Sequence, residues 1–71
     1  MTNIEAIKLG ESIIGKMAQS RLLTMIDSKG NKVLEPAQKI TGYEVITEFM
    51  ESEVMAIIGG ESVYEETLIY F

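Results

Sequence analysis

The 71-residue chain contains no cysteine, no histidine and no tryptophan, and only one proline. Without cysteine it can form no disulfide, no thiolate metal site and no thiol nucleophile. Without histidine it lacks the side chain that most often serves as a catalytic base or a transition-metal ligand. We therefore expect a protein that is not an enzyme and that has no catalytic residue, no metal and no cofactor.

Basic residues are also missing from the whole chain after Lys39. The segment up to Lys39 holds six basic and four acidic side chains, a net charge of +2, whereas the remainder holds seven glutamates and no base, a net charge of −7. These two values give the overall charge of −5. Such a balance disfavours direct binding to nucleic acid or to an anionic membrane, and it favours a protein partner with a basic surface.

The length suits one small domain, residues 1–71, and the apolar content of 46% is too high for a disordered chain. The first residues lack the basic start and the long apolar run of a signal peptide, and no apolar run approaches the roughly 20 residues needed to cross a bilayer. The sequence therefore predicts a cytoplasmic globular domain. A chain this short buries only about 60% of its unfolded surface, so association with another chain would add useful stability.

The N-terminal segment has the pattern of an amphipathic helix over residues 3–20. Thr2 and Glu5 have the spacing of a capping box, in which each side chain accepts a hydrogen bond from the other residue's backbone N–H. Gly10 and Gly15 weaken this helix or allow another element to approach it closely. Apolar side chains recur on one side of the helical wheel, at Ile4, Ile7, Ile14, Met17, Ala18 and Leu22, with Ile13 at its edge.

Two strand patterns follow elsewhere in the chain. The segments 22–26 and 32–34 are short and largely apolar, and the turn residues between them predict a β-hairpin. Pro36 marks the end of its second strand or an edge position. Residues 63–71 predict a C-terminal strand whose apolar end is either docked into the centre of the sheet or buried against another chain.

Residues 42–58 fit two interpretations, of which we favour a second helix. Thr41 and Glu44 repeat the capping-box spacing, and Gly59 and Gly60 would end the helix. Such a helix would place three acidic side chains in one row, namely Glu44, Glu48 and Glu51.

The alternative is a strand, because the same segment is rich in β-branched and aromatic residues. Glu44 and Glu48 would then share the face opposite to a second set of side chains, Tyr43, Val45, Thr47 and Phe49. Residues 54–58 would pair with the last strand in a hairpin around Gly59 and Gly60. The fold expected overall is α+β: an N-terminal helix packed on a small antiparallel sheet, formed by a hairpin and a C-terminal strand, with a second helix over 42–58.

Our hypothesis for function is a non-enzymatic acidic protein–protein interaction module that forms a homo-oligomer. The alternative is an acidic inhibitor or nucleic-acid mimic, of the kind that phages and mobile elements encode, that blocks a basic groove of a target protein. Aromatic residues dominate interface energetics, and acidic residues steer association. The predicted partner-binding residues are therefore Glu44, Glu48, Glu51, Tyr64, Tyr70 and Phe71.

Overall fold

The structure is a computed structural model that describes all residues, 1–71. It contains one α-helix, α1 (Asn3–Ile13), and a 3₁₀ turn at Glu65–Thr67. The seven strands are β1 (Met17–Ser20), β2 (Thr24–Ile26), β3 (Lys32–Leu34), β4 (Gln38–Glu48), β5 (Glu51–Ile58), β6 (Glu61–Tyr64) and β7 (Leu68–Tyr70). The predicted α+β class, with the first helix on an antiparallel sheet, is confirmed. The predicted second helix over 42–58 is wrong.

The capping box at the start of α1 is present. The Thr2 hydroxyl accepts a hydrogen bond from the Glu5 N–H at 3.1 Å, and the Glu5 carboxylate accepts one from the Thr2 N–H at 2.8 Å. The helix ends at Ile13 rather than at residue 20, because Gly15 adopts a φ of +87° that turns the chain into β1.

Residues 41–58 form two strands, and along β5 buried and less buried positions alternate with a period of two. Val54, Ala56 and Ile58 are buried at every second position of β5, which a helix would not allow. The glycines that would have ended a helix instead form the two-residue turn from β5 to β6. The strand alternative, with its second hairpin around Gly59 and Gly60, therefore describes this segment, except that Phe49 lies in the turn after β4 and not on the strand.

Five strands form one antiparallel sheet in the order β6-β5-β4-β1-β7, and β2 and β3 form the separate predicted hairpin. Tyr64 at the end of β6 and Leu68 at the start of β7 are four residues apart, so the chain joins them over at most about 14 Å. In a flat sheet the two outer strands would lie roughly 19 Å apart. The sheet must therefore curl, and a β-bulge interrupts the pairing of β4 with β5 between Ile40 and Gly42.

The helix packs on the inner face of this curled sheet, which holds the core. Gly10 contacts the ring of Tyr43 so closely that a Cβ at Gly10 would overlap it. The close-approach interpretation is thus confirmed for Gly10, whereas Gly15 lies beyond the helix with open space around it. The core consists of small and aliphatic side chains, Ala6, Ile13, Ala18, Ile40, Val54, Ala56, Ile58, Val63 and Leu68.

The predicted apolar side of the helix is only partly correct. The side that packs on the sheet is formed by Ala6, Leu9, Gly10 and Ile13, because the small residues among them permit a short distance between helix and sheet. Ile4 keeps 67% of its surface exposed, and Ile14 keeps 48%. The helix is not long and apolar enough to cross a membrane.

The predicted C-terminal strand over 63–71 is interrupted. Residues 65–67 form the 3₁₀ turn, and the two flanking strands occupy opposite edges of the sheet. The terminal strand β7 pairs only with β1 and does not lie at the centre of the sheet. Phe71 donates its N–H to the Met17 carbonyl at 3.1 Å, yet 74% of its surface stays exposed.

Candidate functional site

The turn between β4 and β5 presents two large apolar side chains to solvent. Phe49 and Met50 form this two-residue turn between the paired residues Glu48 and Glu51, and we call them the hairpin tip. Phe49 is 99% exposed and Met50 is 94% exposed, more than any other large hydrophobic residue of the chain. The sheet and the helix therefore gain almost nothing from these two side chains.

The hairpin tip also adopts a backbone conformation that glycine and asparagine accommodate better than Phe or Met. Phe49 has a φ of 49° and Met50 a φ of 67°, and they are the only non-glycine residues with positive φ. Two positive φ values are typical of a type I′ turn, in which Asn-Gly and Gly-Gly are preferred because a Cβ is disfavoured in this region. The turn from β5 to β6 follows this rule with Gly59 (φ 58°) and Gly60 (φ 79°). The hairpin tip is thus strained relative to a matched turn in the same molecule.

Acidic side chains gather below the hairpin tip on the outer face of the sheet, the face opposite to α1. Glu48 lies directly across from Glu51, and Glu53 lies across from Ile46. Alternation along each strand places four carboxylates on this face, which we call the acidic face: Glu44, Glu48, Glu51 and Glu53. Like charges directly opposite each other on a strand pair are destabilising, so the monomer gains no stability from this arrangement.

Only one cation partners the acidic face. The Met1 amino group lies 2.7 Å from the Glu51 carboxylate in the single ion pair of the structure, and this hydrogen bond raises the pKa of the amino group. No lysine or arginine side chain lies within 4.0 Å of a carboxylate. The acidic face is therefore left with uncompensated negative charge.

The predicted acidic row is brought together, although by strand pairing and not by a helix. Glu44, Glu48 and Glu51 share the outer face of β4 and β5, and the sequence reasoning missed Glu53. In the strand interpretation, side chains two positions apart share a face, so this alternation could have placed Glu53 beside Glu51. The hairpin tip was also missed, because no Asn-Gly or other turn signal marks residues 49 and 50.

The predicted aromatic residues separate into two places. Tyr64 lies across from Met55 on the outer face and borders a shallow depression of 270 Å³ beside the acidic face and the hairpin tip. Tyr70 lies on β7 at the opposite edge, where its hydroxyl donates to the Glu65 carboxylate at 2.6 Å. The Lys16 ammonium group lies 5.4 Å from the centroid of the Tyr70 ring. Burial and the hydrogen bond to Glu65 raise the pKa of the Tyr70 hydroxyl, so Tyr70 is engaged within the monomer.

The buried polar groups have structural partners. Ser20 and Ser52 are the only buried polar residues, and neither side chain is ionisable at neutral pH. The Ser20 hydroxyl is 2.9 Å from the Thr67 hydroxyl, and the Ser52 hydroxyl is 2.8 Å from that of Thr47. No group of three or more acidic side chains has the geometry to hold a metal ion. The absence of enzymatic activity stays a prediction.

The chain matches no family model, and comparisons with curated proteins and with solved structures find no significant match. The surface geometry of the hairpin is therefore the basis on which a function can be argued.

Proposed function

We propose that this chain is a non-enzymatic protein–protein interaction module that associates with a second copy of itself through the β4–β5 hairpin. The observation that supports this most is the hairpin tip, where Phe49 and Met50 are almost fully exposed. Single exposed apolar residues are ordinary on protein surfaces. Two adjacent large ones in a turn that disfavours both are not explained by the stability of the monomer. Phe and Met are among the residues enriched at protein interfaces.

The free edges of the sheet are consistent with association. Strands β6 and β7 each pair on one side only, and neither is covered by a further strand. Exposed edges favour pairing between chains unless charge or shape prevents it. Glu61 is exposed at the start of β6, whereas β7 is the more apolar of the two edges.

The molar mass in solution tests this proposal, measured by light scattering after size exclusion over a range of protein concentrations. The natural chain should approach the mass of a dimer as concentration rises. The Phe49→Asn/Met50→Gly variant should stay monomeric, because it removes both the apolar surface and the backbone strain. Tyr70→Ser/Phe71→Ser on the edge strand β7, away from the hairpin tip, is the matched control. Its dimer should persist, whereas loss of that dimer would place the association at the β7 edge and not at the hairpin. A natural chain that is monomeric at every concentration would refute the proposal.

A second candidate function is binding to a basic groove of another protein, as an acidic inhibitor would do. The acidic face supports it, since four carboxylates share one surface with a single cation nearby. Unneutralised charge of one sign attracts a surface of the opposite sign and speeds association.

Binding to poly-L-lysine, followed by fluorescence anisotropy of a labelled peptide, tests the second candidate. The Glu44→Gln/Glu48→Gln/Glu51→Gln variant should bind at least about tenfold more weakly than the natural chain if the acidic face is the site. The control carries the same change in net charge away from this face, at Glu11, Glu61 and Glu66. Equal losses in both variants would show attraction to net charge alone and would count against a specific site.

A further inference from the structure

We infer that two copies of this chain associate by exchanging strands, with the hairpin tip opening as a hinge so that β4 of one copy pairs with β5 of the other. This inference rests on the self-association proposed above and specifies its mechanism. It commits to a second copy of the chain as the partner of the hairpin.

The first argument is the strain at the hinge. Phe49 and Met50 both have positive φ, whereas an extended hinge would return them to the negative φ values that residues with a Cβ prefer. A short, strained hinge loop is the feature that favours exchange of identical elements between protomers. The other two-residue hairpin turn lacks this feature because it consists of Gly59 and Gly60. Strain is therefore confined to the one turn that separates the two halves of the chain.

The second argument is that exchange preserves the packing of the monomer. Residues 1–48 contribute α1 and the strands β1 to β4, and residues 51–71 contribute β5, β6 and β7. The pairs between these halves, from Ile40 with Ile58 to Glu48 with Glu51, involve the same residues whether both strands belong to one copy or to two. The same holds for the pairing of β1 with β7. Opening the hinge thus relieves strain without requiring a new core.

The third argument concerns the side chains at the hinge. In the exchanged dimer the two hinges lie beside each other, so Phe49 and Met50 of both copies can contact and lose exposed apolar surface. Glu48 and Glu51 of both copies also lie there, within about 10 Å of one another, a distance over which salt screens their repulsion. Exchange should therefore be promoted by salt, unlike an assembly held by opposite charges.

Disulfide trapping distinguishes exchange from contact between intact hairpins, and the chain has no cysteine to interfere. Ile46 and Glu53 are directly paired across β4 and β5. Cysteines at such a pair are about 4.5–5.5 Å apart at Cα, which suits a disulfide. In an exchanged dimer the Ile46→Cys/Glu53→Cys variant links two different chains. The control Met17→Cys/Lys39→Cys pairs β1 with β4 inside one half, so its disulfide stays within one chain.

Both variants are unfolded in urea, refolded at high protein concentration in high salt, separated by size exclusion and oxidised. Exchange predicts that the dimer fraction of Ile46→Cys/Glu53→Cys migrates as a covalent dimer on a non-reducing denaturing gel, while that of the control migrates as a monomer. Adding Phe49→Asn/Met50→Gly should reduce the dimer fraction at least about tenfold. A dimer fraction that contains only intrachain disulfides would overturn exchange and leave self-association standing. The absence of any dimer fraction would overturn both.

Discussion

Replacing the hairpin tip by the residues that its backbone prefers should stabilise the monomer. Phe49 and Met50 hold φ values of 49° and 67°, and each residue with a Cβ in this left-handed region costs roughly 1–2 kcal/mol. In the Phe49→Asn/Met50→Gly variant, asparagine tolerates this region and glycine has no penalty there. The two native side chains are 99% and 94% exposed, so their removal forfeits almost no burial.

The net effect should be a gain of about 2 kcal/mol in the free energy of unfolding. For a domain of this size that corresponds to a rise of roughly 8–16 °C in Tm. Urea and thermal unfolding of dilute protein, followed by circular dichroism, give both values for the monomer. The matched control is Gly60→Ala in the other hairpin turn, where φ is 79° and nothing lies within 4 Å of an added Cβ. It should lose about 1 kcal/mol from backbone strain alone.

An unchanged or reduced stability of the Phe49→Asn/Met50→Gly variant would refute this reasoning. It would mean either that the turn does not hold positive φ at both positions or that the native side chains stabilise the monomer. A loss in Gly60→Ala together with a gain in the tip variant would establish that the two turns share one conformation and differ in strain.

Three further predictions concern the rest of the molecule. Gly10→Ala should lower the free energy of unfolding by about 1–3 kcal/mol in urea titrations, because the added methyl group overlaps the Tyr43 ring. The better helix propensity of alanine does not offset this overlap, and an unchanged urea midpoint would contradict the position of the helix on the sheet. Ser20→Ala removes a buried hydroxyl that bonds two partners, and thermal unfolding should reveal a loss of about 1–2 kcal/mol, whereas a neutral result would show that these partners find water. The hydrogen bond from the Thr2 N–H lowers the pKa of Glu5 below its ordinary 4.5. The ionised Glu5 carboxylate therefore contributes fully to stability above pH 4.5, and this contribution is lost as the pH falls through the lower pKa of the folded state. NMR titration of the Glu5 carboxyl group should find this depressed pKa, and an ordinary value would mean that the capping box is open in solution.

Local signals in the sequence predicted the parts of the fold that depend on neighbouring residues. The capping box at Thr2 and Glu5 and the turn at Asp27 are short-range features, and both are present. At this turn the Asp27 carboxylate accepts hydrogen bonds from the N–H groups of Lys29 and Asn31. Such features are fixed by residues within five positions of each other.

Features that depend on distant contacts were not predictable in the same way. The cap-like start of residues 42–58 and the glycines that follow are compatible with both a helix and a hairpin. Packing against α1 and pairing with the other strands decide between the two. The helix end was misplaced because Gly15 could be either a weak helix residue or a turn. Tyr43 against Gly10 is a tertiary contact over thirty residues of chain, which no local pattern encodes.

The candidate site also contains one part that the sequence predicted and one part that it did not. The helix interpretation grouped Glu44, Glu48 and Glu51 in one row, and the strand interpretation grouped Glu44 and Glu48 on one face. The hairpin tip was not expected, since Phe49 and Met50 are unfavourable residues for a type I′ turn. A position where local preference and structure disagree is where a functional role is most reasonably sought.

The dependence of dimer formation on salt tests the central claim, association through the hairpin tip, most directly. The dimer dissociation constant of the natural chain would be measured by analytical ultracentrifugation in low and in high NaCl. Because the contacts at the hinge are apolar and the neighbouring carboxylates of Glu48 and Glu51 repel one another, the dissociation constant should fall as salt rises. A dimer that weakens with salt would instead be held by opposite charges, and a chain that stays monomeric in both conditions would contradict association through the hairpin altogether.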